Sequence, residues 1–387
     1  MRRGLGLIVT SWLVSTTWLG CNLILGNESA VFAPEPSEGG TGGDDGASPF
    51  EDGSTPRTDG TAPDADVDAD PCVDLASNPR HCGACSHDCF GGQCMGGVCQ
   101  PVELATDESG PFAIALDGTH VYWNNRTTGS LWRVPISGGP KELLFQAQGE
   151  ALGDEIAVHG GHVYFAHSIG DAGIVRCPVT GCTADGPEPV VENGAAATAV
   201  TIEDGVLLFV ESSVPGRIGR CPLPCNGTFE IVASGETLPI RAAQSGGIVA
   251  WSVIANEIRL KIGSASAFSI PTNSGFATGI AVAGGLVYAQ DHNVGPLAFP
   301  TDGGPRRRLT SSTFSFSEEL TLDDGSVYFT DTIDNGRVLR CPRTGCGDAG
   351  TVLASSQSKP RGIAVDAKSV YWVNTGATTG AVMRVAK

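Results

Sequence analysis

Short apolar runs follow one another over residues 101–387, and Gly, Asp or Asn separates most of them. Phe112-Ala-Ile-Ala-Leu116 and Gly362-Ile-Ala-Val365 are examples, and Val, Ile and aromatic residues are frequent in the other runs. Runs of this length, bounded by turn-forming residues, predict β-strands rather than helices.

A dipeptide, mostly aromatic and here called the dyad, recurs at the same place in each segment. It occurs seven times, as Tyr122-Trp123, Tyr164-Phe165, Leu208-Phe209, Ala250-Trp251, Tyr288-Ala289, Tyr328-Phe329 and Tyr371-Trp372. The steps between successive dyads are 42, 44, 42, 38, 40 and 43 residues. A strand-rich repeat of about 40–45 residues is typical of β-propeller blades. The chain is therefore predicted to be all-β, with a seven-bladed β-propeller over residues 101–387.

Each repeat is predicted to contain four strands. A run of small apolar residues suits the crowded innermost strand, and the dyad strand follows after a Gly- or Asp-containing turn. A polar loop then leads to a strand such as Leu131-Trp-Arg-Val-Pro135, and an apolar run such as Glu142-Leu-Leu-Phe145 completes the unit. We expect four-stranded blades.

The two ends of the repeat region predict how the ring closes. The seventh unit stops at Met383-Arg-Val-Ala-Lys387, before its fourth strand, whereas Val102-Glu-Leu-Ala105 precedes the first unit. We expect residues 101–106 to pair beside the C-terminal strand, because a closed ring leaves no unpaired sheet edge.

Three repeats carry a local cysteine pair at one turn. The pairs are Cys177 and Cys182, Cys221 and Cys225, and Cys341 and Cys346, and the equivalent turns elsewhere have no cysteine, as in Val134-Pro-Ile-Ser-Gly-Gly139. Cysteines at both ends of one turn predict a disulfide bond across it.

The first 71 residues read as export and tether segments. Residues 1–21 combine Met1-Arg-Arg3, an apolar stretch and Cys21, which resembles a bacterial lipoprotein signal with Cys21 as the lipidation site. A simple cleaved signal and an uncleaved membrane anchor are the alternatives. Residues 22–71 hold twelve acidic residues and one Arg, with many Gly and Pro, and are predicted to be a disordered acidic linker.

Residues 72–100 form a cysteine-rich module. Its six cysteines are Cys72, Cys82, Cys85, Cys89, Cys94 and Cys99. A segment this short lacks a core of its own, so three disulfides are expected with the connectivity open. A zinc site at Cys82-Gly-Ala-Cys85 is the alternative. The run from Asn78 to Cys99 resembles a module of myxobacterial surface proteins that is related to the stigma-specific cysteine-rich family, which implies an extracellular location.

Charge and cysteine content narrow the function classes. The net charge of −18 argues against nucleic-acid binding, which depends on basic surface. Thirteen cysteines argue against a reducing cytosol. We expect an exported monomer anchored to the membrane of the bacterial cell envelope or displayed on the surface; inner and outer membrane are not distinguished.

The dyads over residues 101–387 resemble those of the YWTD and NHL propellers. The fourth position of the YWTD motif is Asp, which this chain has at Asp291 and Asp331. The Arg-Val-Pro and Gly-Gly turns resemble those of uncharacterised myxobacterial propeller lipoproteins. This resemblance implies a lipid-anchored propeller and names no ligand.

The loops after the dyads are the predicted binding region, because loops on a rigid scaffold commonly carry binding groups. The candidate ligand-binding residues are Asn125, His167, Asp171, Glu211, Asp291, His292, Asp331, Asp334 and Asn374. The alternative is that each of these side chains caps a turn or bonds to nearby backbone.

Two functions remain at this point. The first is a non-catalytic module that binds a protein, peptide or glycan without a cofactor, and no catalytic residue is assigned. The second is a calcium-dependent hydrolase or lyase, in which Glu211, Asp291 and Asp331 converge on a cation at the channel mouth. Calcium takes six to eight oxygen ligands, so these carboxylates would have to lie together.

Overall fold

The computed structural model describes residues 72–387, except 150, 168–171, 193–196, 227, 273–274, 276, 313, 315, 349 and 377–378. The predicted signal, Cys21, the linker and the candidate Asp171 lie outside the described residues.

The described chain is built from strands. Two of them, β1 (Cys94–Met95) and β2 (Val98–Cys99), lie in the cysteine-rich module, and β3 (Val102–Glu108) follows. Blade 1 contains β4 (Pro111–Leu116), β5 (His120–Asn125), β6 (Ser130–Pro135) and β7 (Glu142–Gln146). Blade 2 contains β8 (Leu152–His159), β9 (His162–His167), β10 (Ala172–Pro178) and β11 (Glu188–Glu192). Blade 3 contains β12 (Ala197–Glu203), β13 (Val206–Glu211), β14 (Gly216–Pro222) and β15 (Glu230–Glu236). Blade 4 contains β16 (Pro239–Ser245), β17 (Ile248–Val253), β18 (Glu257–Ile262) and β19 (Phe268–Pro271). Blade 5 contains β20 (Ala277–Ala283), β21 (Leu286–Asp291), β22 (Gly295–Pro300) and β23 (Arg307–Arg308). Blade 6 contains β24 (Leu320–Leu322), β25 (Ser326–Asp331), β26 (Gly336–Pro342) and β27 (Thr351–Gln357). Blade 7 contains β28 (Pro360–Val365), β29 (Ser369–Asn374) and β30 (Gly380–Ala386).

The sheet order confirms a seven-bladed propeller with four-stranded blades. Each of blades 1 to 6 is an antiparallel meander of four consecutive strands. Blade 7 has the order β28-β29-β30-β3, so its outermost strand comes from upstream of blade 1. Val102 pairs with Arg384, Ala105 with Val382 and Glu108 with Gly380. The closing strand extends beyond the predicted residues 101–106, to Glu108.

The core lies between the blades, and the dyads build it. Successive side chains of a strand point to opposite faces of its sheet. Tyr122 accordingly packs with Phe165 of blade 2, whereas Trp123 packs with Tyr371 of blade 7. One dyad therefore fills two seams, which explains why the pair recurs once in each blade.

The disulfide bonds connect Cys72 to Cys85, Cys82 to Cys94 and Cys89 to Cys99 in the cysteine-rich module. In the blades they connect Cys177 to Cys182, Cys221 to Cys225 and Cys341 to Cys346. The structure thus gives the connectivity that the sequence left open, and it uses the Cys82-Gly-Ala-Cys85 cysteines in disulfides.

The cysteine-rich module packs directly on the last two blades. Its cysteines Cys82, Cys89, Cys94 and Cys99 share a hydrophobic cluster with residues that include Trp372 and Met383. His87 Nε2 donates a hydrogen bond of 2.9 Å to the carbonyl of Lys387.

In the part of the chain that the structure describes, no helix is long and apolar enough to span a bilayer.

Candidate functional site

One face of the ring gathers the predicted loops. In an antiparallel meander the second strand of a blade ends where the first strand begins, so both ends lie on one face. We call this the loop face: the described residues of the loops after β5, β13, β17, β21, β25 and β29, and of the connections that enter the first strands of the blades.

The three carboxylates proposed for calcium are each engaged within their own blade. Glu211 is 5% exposed and accepts hydrogen bonds of 2.5 and 2.6 Å from Arg217, the residue that it faces across the hairpin. Asp331 pairs in the same way with Arg337 at 2.8 Å. Asp291 Oδ1 accepts from the backbone N–H groups of the next loop residues at 2.9 and 3.0 Å. These carboxylates hold their hairpin loops.

The structure does not bring the proposed calcium ligands together. Within the described ranges, one group of three or more His, Cys, Asp or Glu side chains has its ligand atoms within 4.8 Å of one another, and it is Cys82, Cys89 and Cys99. All three cysteines are in disulfide bonds. Glu211, Asp291 and Asp331 therefore form no common coordination sphere, which corrects the arrangement expected from the sequence.

The two candidate histidines contact aromatic rings. His167 is 1% exposed, and its ring lies edge-on to Phe145 at 5.3 Å between centroids. His292 lies edge-on to Phe316 at 4.7 Å on the loop face. His167 therefore belongs to the core between blades 1 and 2, and His292 supports an exposed phenylalanine.

The candidate asparagines bind neighbouring outer strands. Asn125 Nδ2 donates to Glu108 Oε2 at 2.6 Å, and Asn374 Nδ2 donates to Gln357 Oε1 at 3.0 Å. Asp334 is exposed and lies 3.7 Å from Lys359. Of the described candidates, Asp334 is the most accessible to a ligand.

The channel mouth on the loop face holds a charged cluster that the loop residues did not predict. Arg241 enters it from β16 with 5% of its side chain exposed. Its guanidinium lies 3.1 Å from Glu155, 3.2 Å from Glu319 and 3.6 Å from Asp154. These partners belong to blades 2 and 6, so one arginine of blade 4 spans the channel.

Two further arginines extend this cluster towards solvent. Arg361 pairs with Glu318, and Arg126 lies 3.2 Å from Asp154. Both guanidinium groups lie over the Phe112 ring, at 3.9 and 4.9 Å from its centroid. We call Arg126, Asp154, Glu155, Arg241, Glu318, Glu319 and Arg361 the mouth cluster.

Burial dominates the electrostatics of the mouth cluster. It raises the pKa of Glu155 to about 8, with Glu319 and Asp154 adding to the increase and Arg241 opposing it. Burial also raises the pKa of Glu319. Burial alone would lower the pKa of Arg241, but the facing carboxylates outweigh it and raise that pKa. The cluster therefore holds a proton on Glu155 at neutral pH and keeps Arg241 charged.

A signal for the mouth cluster is present in the repeat alignment. The residue ten positions before the second dyad residue is Ala or Gly in four blades: Ala113, Ala199, Gly279 and Gly362. In blades 2, 4 and 6 it is Glu155, Arg241 and Glu319. Space is short here, since a Cβ on Gly279 would lie 2.8 Å from the backbone N of Leu320. Charges at a position otherwise kept small mark the site.

Below the charges lies a channel cavity of about 330 Å³. Its walls are mostly the small and aliphatic residues of the innermost strands, such as Ala157, Val200, Ile280 and Ile363. Asp154, Glu155 and Glu319 of the mouth cluster line the same cavity, so its aliphatic walls end in a fixed arrangement of charges, a surface suited to recognition of a polar ligand.

Comparison with solved structures finds propellers. The chain is similar to virginiamycin B lyase from Staphylococcus aureus, with 16% identity, a TM-score of 0.58, and 74% of this chain and 98% of that one covered. A streptogramin B lyase structure is similar at 15% identity and a TM-score of 0.58, covering 74% and 97%. The WD40 propeller domain of Doa1 has 12% identity and a TM-score of 0.59, covering 73% and 96%. No family model and no curated protein matches the chain. At these identities the likeness shows the fold alone.

Proposed function

We propose that this protein is an exported, lipid-anchored propeller that binds a protein, peptide or glycan on its loop face and has no catalytic role. The observation that carries the proposal is the combination of the mouth cluster with exposed apolar side chains on the same face. Val214, Ile254 and Phe316 are 69%, 48% and 52% exposed.

These three residues come from neighbouring parts of the ring. Val214 lies in the loop after β13, Ile254 in the loop after β17, and Phe316 in the connection that enters blade 6. Exposed apolar side chains on the same face as accessible arginines, here Arg126 and Arg361, are features of interaction sites. Aromatic and arginine side chains also supply most of the binding energy at measured interfaces.

The contacts of the loop carboxylates support binding over calcium chemistry. Glu211 and Asp331 are neutralised by Arg217 and Arg337, so ligation of a cation would first have to break an ion pair in each blade. Such pairs rigidify the hairpins that present Val214 and its neighbours. A rigid face lowers the entropy cost of binding.

The location is proposed from the sequence and supported by the disulfides. Six disulfide bonds fit an oxidising, extracytoplasmic compartment. The lipoprotein-like signal with Cys21 and the acidic linker at 22–71 would let the propeller reach outward from a membrane. The resemblance to myxobacterial lipoproteins and to the stigma-specific module belongs to this proposal.

Mass spectrometry of the mature N-terminus tests the anchor. We expect a chain that begins at a diacylglyceryl-modified Cys21, and that Cys21→Ser abolishes the modification. An unmodified mature chain that begins at another residue would overturn the lipid anchor, while leaving the binding face to be tested by itself.

The binding face is tested with peptide and glycan arrays. A triple variant, Val214→Ser, Ile254→Ser and Phe316→Ser, is expected to lower binding of array hits by more than about tenfold. The matched control is Ile231→Ser with Phe268→Ser, which are 49% and 38% exposed on outermost strands. Equal binding by the triple variant and the control would place the function elsewhere.

A further inference from the structure

Three blades contain the same tyrosine–aspartate hydrogen bond. Tyr122 donates to Asp117 at 2.5 Å, Tyr328 to Asp323 at 2.7 Å and Tyr371 to Asp366 at 2.9 Å. In each case the acid lies five residues before the first residue of the dyad. The pair thus closes the turn between the first and second strands of its blade.

The tyrosine ring of each pair lies in the seam with the next blade. Tyr122 packs with Phe165 of blade 2, Tyr328 with Trp372 of blade 7, and Tyr371 with Trp123 of blade 1. An arginine faces each tyrosine across the hairpin: Arg133, Arg340 and Arg384. Acid, tyrosine and arginine therefore form one recurring set.

Blade 3 keeps the acid and the arginine of this set but not the tyrosine. The dyad position holds Leu208, the acid five residues earlier is Glu203, and Arg220 faces Leu208 across the hairpin. Leu208 packs with Val249 and Trp251 of blade 4, in the seam that a tyrosine would enter. A leucine side chain ends well short of the position that a tyrosine hydroxyl reaches.

A cleft of about 640 Å³ lies in this seam between blades 3 and 4. Glu203, Arg220, Pro222 and Phe229 line it from blade 3, and Ile248 and Val249 from blade 4. Its volume is in the range of small-molecule sites, and its lining is mainly apolar with a few polar groups. The cleft lies on the face opposite the mouth cluster, beside the turns that join first and second strands.

Two acids of blade 3 without an arginine partner line the cleft, Glu203 and Asp204, and Glu203 is the favoured acceptor because it is half-buried whereas Asp204 is exposed. Arg220 Nε donates to Glu230 at 2.8 Å, so the charge of Arg220 is balanced within its own blade. Burial raises the pKa of Glu203, and a hydrogen bond from Ser245 opposes the increase. In blade 1, by contrast, donors that include the Tyr122 hydroxyl outweigh burial and lower the pKa of Asp117 to about 2. Glu203 lacks the phenolic donor that its counterparts have.

We propose that the cleft between blades 3 and 4 binds a small phenolic ligand, whose ring lies over Val249, Ile248 and Phe229 and whose hydroxyl donates to Glu203. The ligand then completes the set that the protein completes with its own tyrosines in blades 1, 6 and 7. This site goes beyond the proposed function, because it lies on the other face and shares no residue with the loop face.

The test uses the full chain with 4-methylphenol as the probe and with toluene and benzylamine as comparison ligands. Protein NMR titrations measure the binding of each ligand. We expect a dissociation constant on the order of 1 mM for 4-methylphenol, as befits so few atoms, and about tenfold weaker binding of toluene. N-acetyltyrosinamide distinguishes a free phenol from a peptide tyrosine, and binding by either phenol supports the site. Toluene binding as well as 4-methylphenol, or tighter binding of benzylamine, would overturn the hydroxyl assignment.

Two variants locate the site. Leu208→Tyr is expected to fill the cleft with its own phenol, to lower 4-methylphenol binding at least about tenfold and to raise the melting temperature. Glu203→Gln, at the half-buried end of β12, is expected to remove the preference for 4-methylphenol over toluene. The matched control is Asp366→Asn, the equivalent acid of blade 7, which leaves binding unchanged. Unchanged binding by Glu203→Gln would overturn the proposal even if Leu208→Tyr failed to fold.

Discussion

At the residue scale, the protonation of the buried carboxylates depends on how many guanidinium groups face them. One guanidinium, that of Arg241, faces Asp154, Glu155 and Glu319 in the channel mouth. Arg126 also pairs with Asp154, and Arg361 with Glu318, so the mouth cluster has four carboxylates for three guanidinium groups, and not all four ionise at low cost in a buried site. The proton that remains on Glu155 at neutral pH is the result, and it makes stability depend on pH.

Glu155→Gln is predicted to flatten the pH dependence of stability. The folded-state pKa of Glu155 is about 8, above its ordinary value of 4.5. The protonated carboxyl therefore stabilises the fold fully below pH 4.5, and this contribution is lost as pH rises towards 8. The loss is at most about 1.4 kcal/mol per pH unit. Urea unfolding between pH 5 and 8 measures it.

The control for this prediction is Glu142→Gln, an exposed carboxylate that pairs with Arg133. Its pH profile is expected to follow that of the unmodified protein. An identical profile for Glu155→Gln would show that this carboxyl does not hold the proton.

Glu108 shows how one buried residue joins two blades. It is 2% exposed, and its Oε2 accepts from Trp123 Nε1 at 2.8 Å and from Asn125 Nδ2 at 2.6 Å. Gln357 does the same for Trp372 at 3.2 Å and Asn374 at 3.0 Å. The last residue of an outermost strand thus serves the dyad tryptophan of the next blade, whether it is an acid or an amide.

Glu108→Gln is predicted to cost less than about 1 kcal/mol, whereas Glu108→Leu is predicted to cost about 2–4 kcal/mol. The glutamine keeps an acceptor for both donors, as Gln357 does, and the leucine leaves two buried N–H groups unsatisfied. Chemical denaturation followed by tryptophan fluorescence measures the difference. Equal losses in both variants would mean that the bond to Lys141, which both variants weaken, is what matters at this site.

At the element scale, β3 closes the ring by packing as well as by pairing. Its register against β30 shifts between Glu103 and Ala105. Leu104 stands at this irregularity, is 8% exposed, and shares a cluster with Val121, Trp123 and Tyr371. The side chain of Leu104 therefore joins blade 7 to blade 1.

Leu104→Ala is predicted to lower the free energy of unfolding by about 2–4 kcal/mol, because it leaves a cavity at the closure. Glu103→Ala, an exposed neighbour on the same strand, is predicted to change it by less than about 0.5 kcal/mol. Urea denaturation of both variants decides the matter. A small loss for Leu104→Ala would mean that closure depends on the strand ladder alone.

Elements also show what the sequence could predict and what it could not. The strands, the number of blades and the ring closure could be predicted because the dyad recurs once in every repeat. It recurs because each dyad must fill the seams on both sides of its blade. The pairs of Glu211 with Arg217 and of Asp331 with Arg337 were also within reach, since each acid and arginine flank one hairpin. Glu155, Arg241 and Glu319 of the mouth cluster share one repeat position, which marks them as unusual, but it is the closed ring that brings these three blades together around the channel.

At the scale of the whole molecule, the cysteine-rich module contacts the place where the ring closes. Arg384, on the last strand, donates to the carbonyl of Phe90 in the module and to that of Ile136 in blade 1. The side chain of Phe90 packs on the cluster that contains Trp372 and Met383. One arginine thus connects the module, the last blade and the first blade.

The module is therefore predicted to unfold together with the propeller. A fragment of residues 101–387 exposes the surface that Phe90 and the buried cysteines cover, and is predicted to lose at least about 2 kcal/mol, the burial of one large apolar side chain. Calorimetry of the chain from residue 72 should show one transition, above that of the fragment. His87→Ala, which removes the bond to Lys387 but keeps the apolar contact, is predicted to lose only about 1 kcal/mol. Equal melting temperatures for the fragment and the longer chain would show that the module only rests on the ring, because shared burial must stabilise both partners.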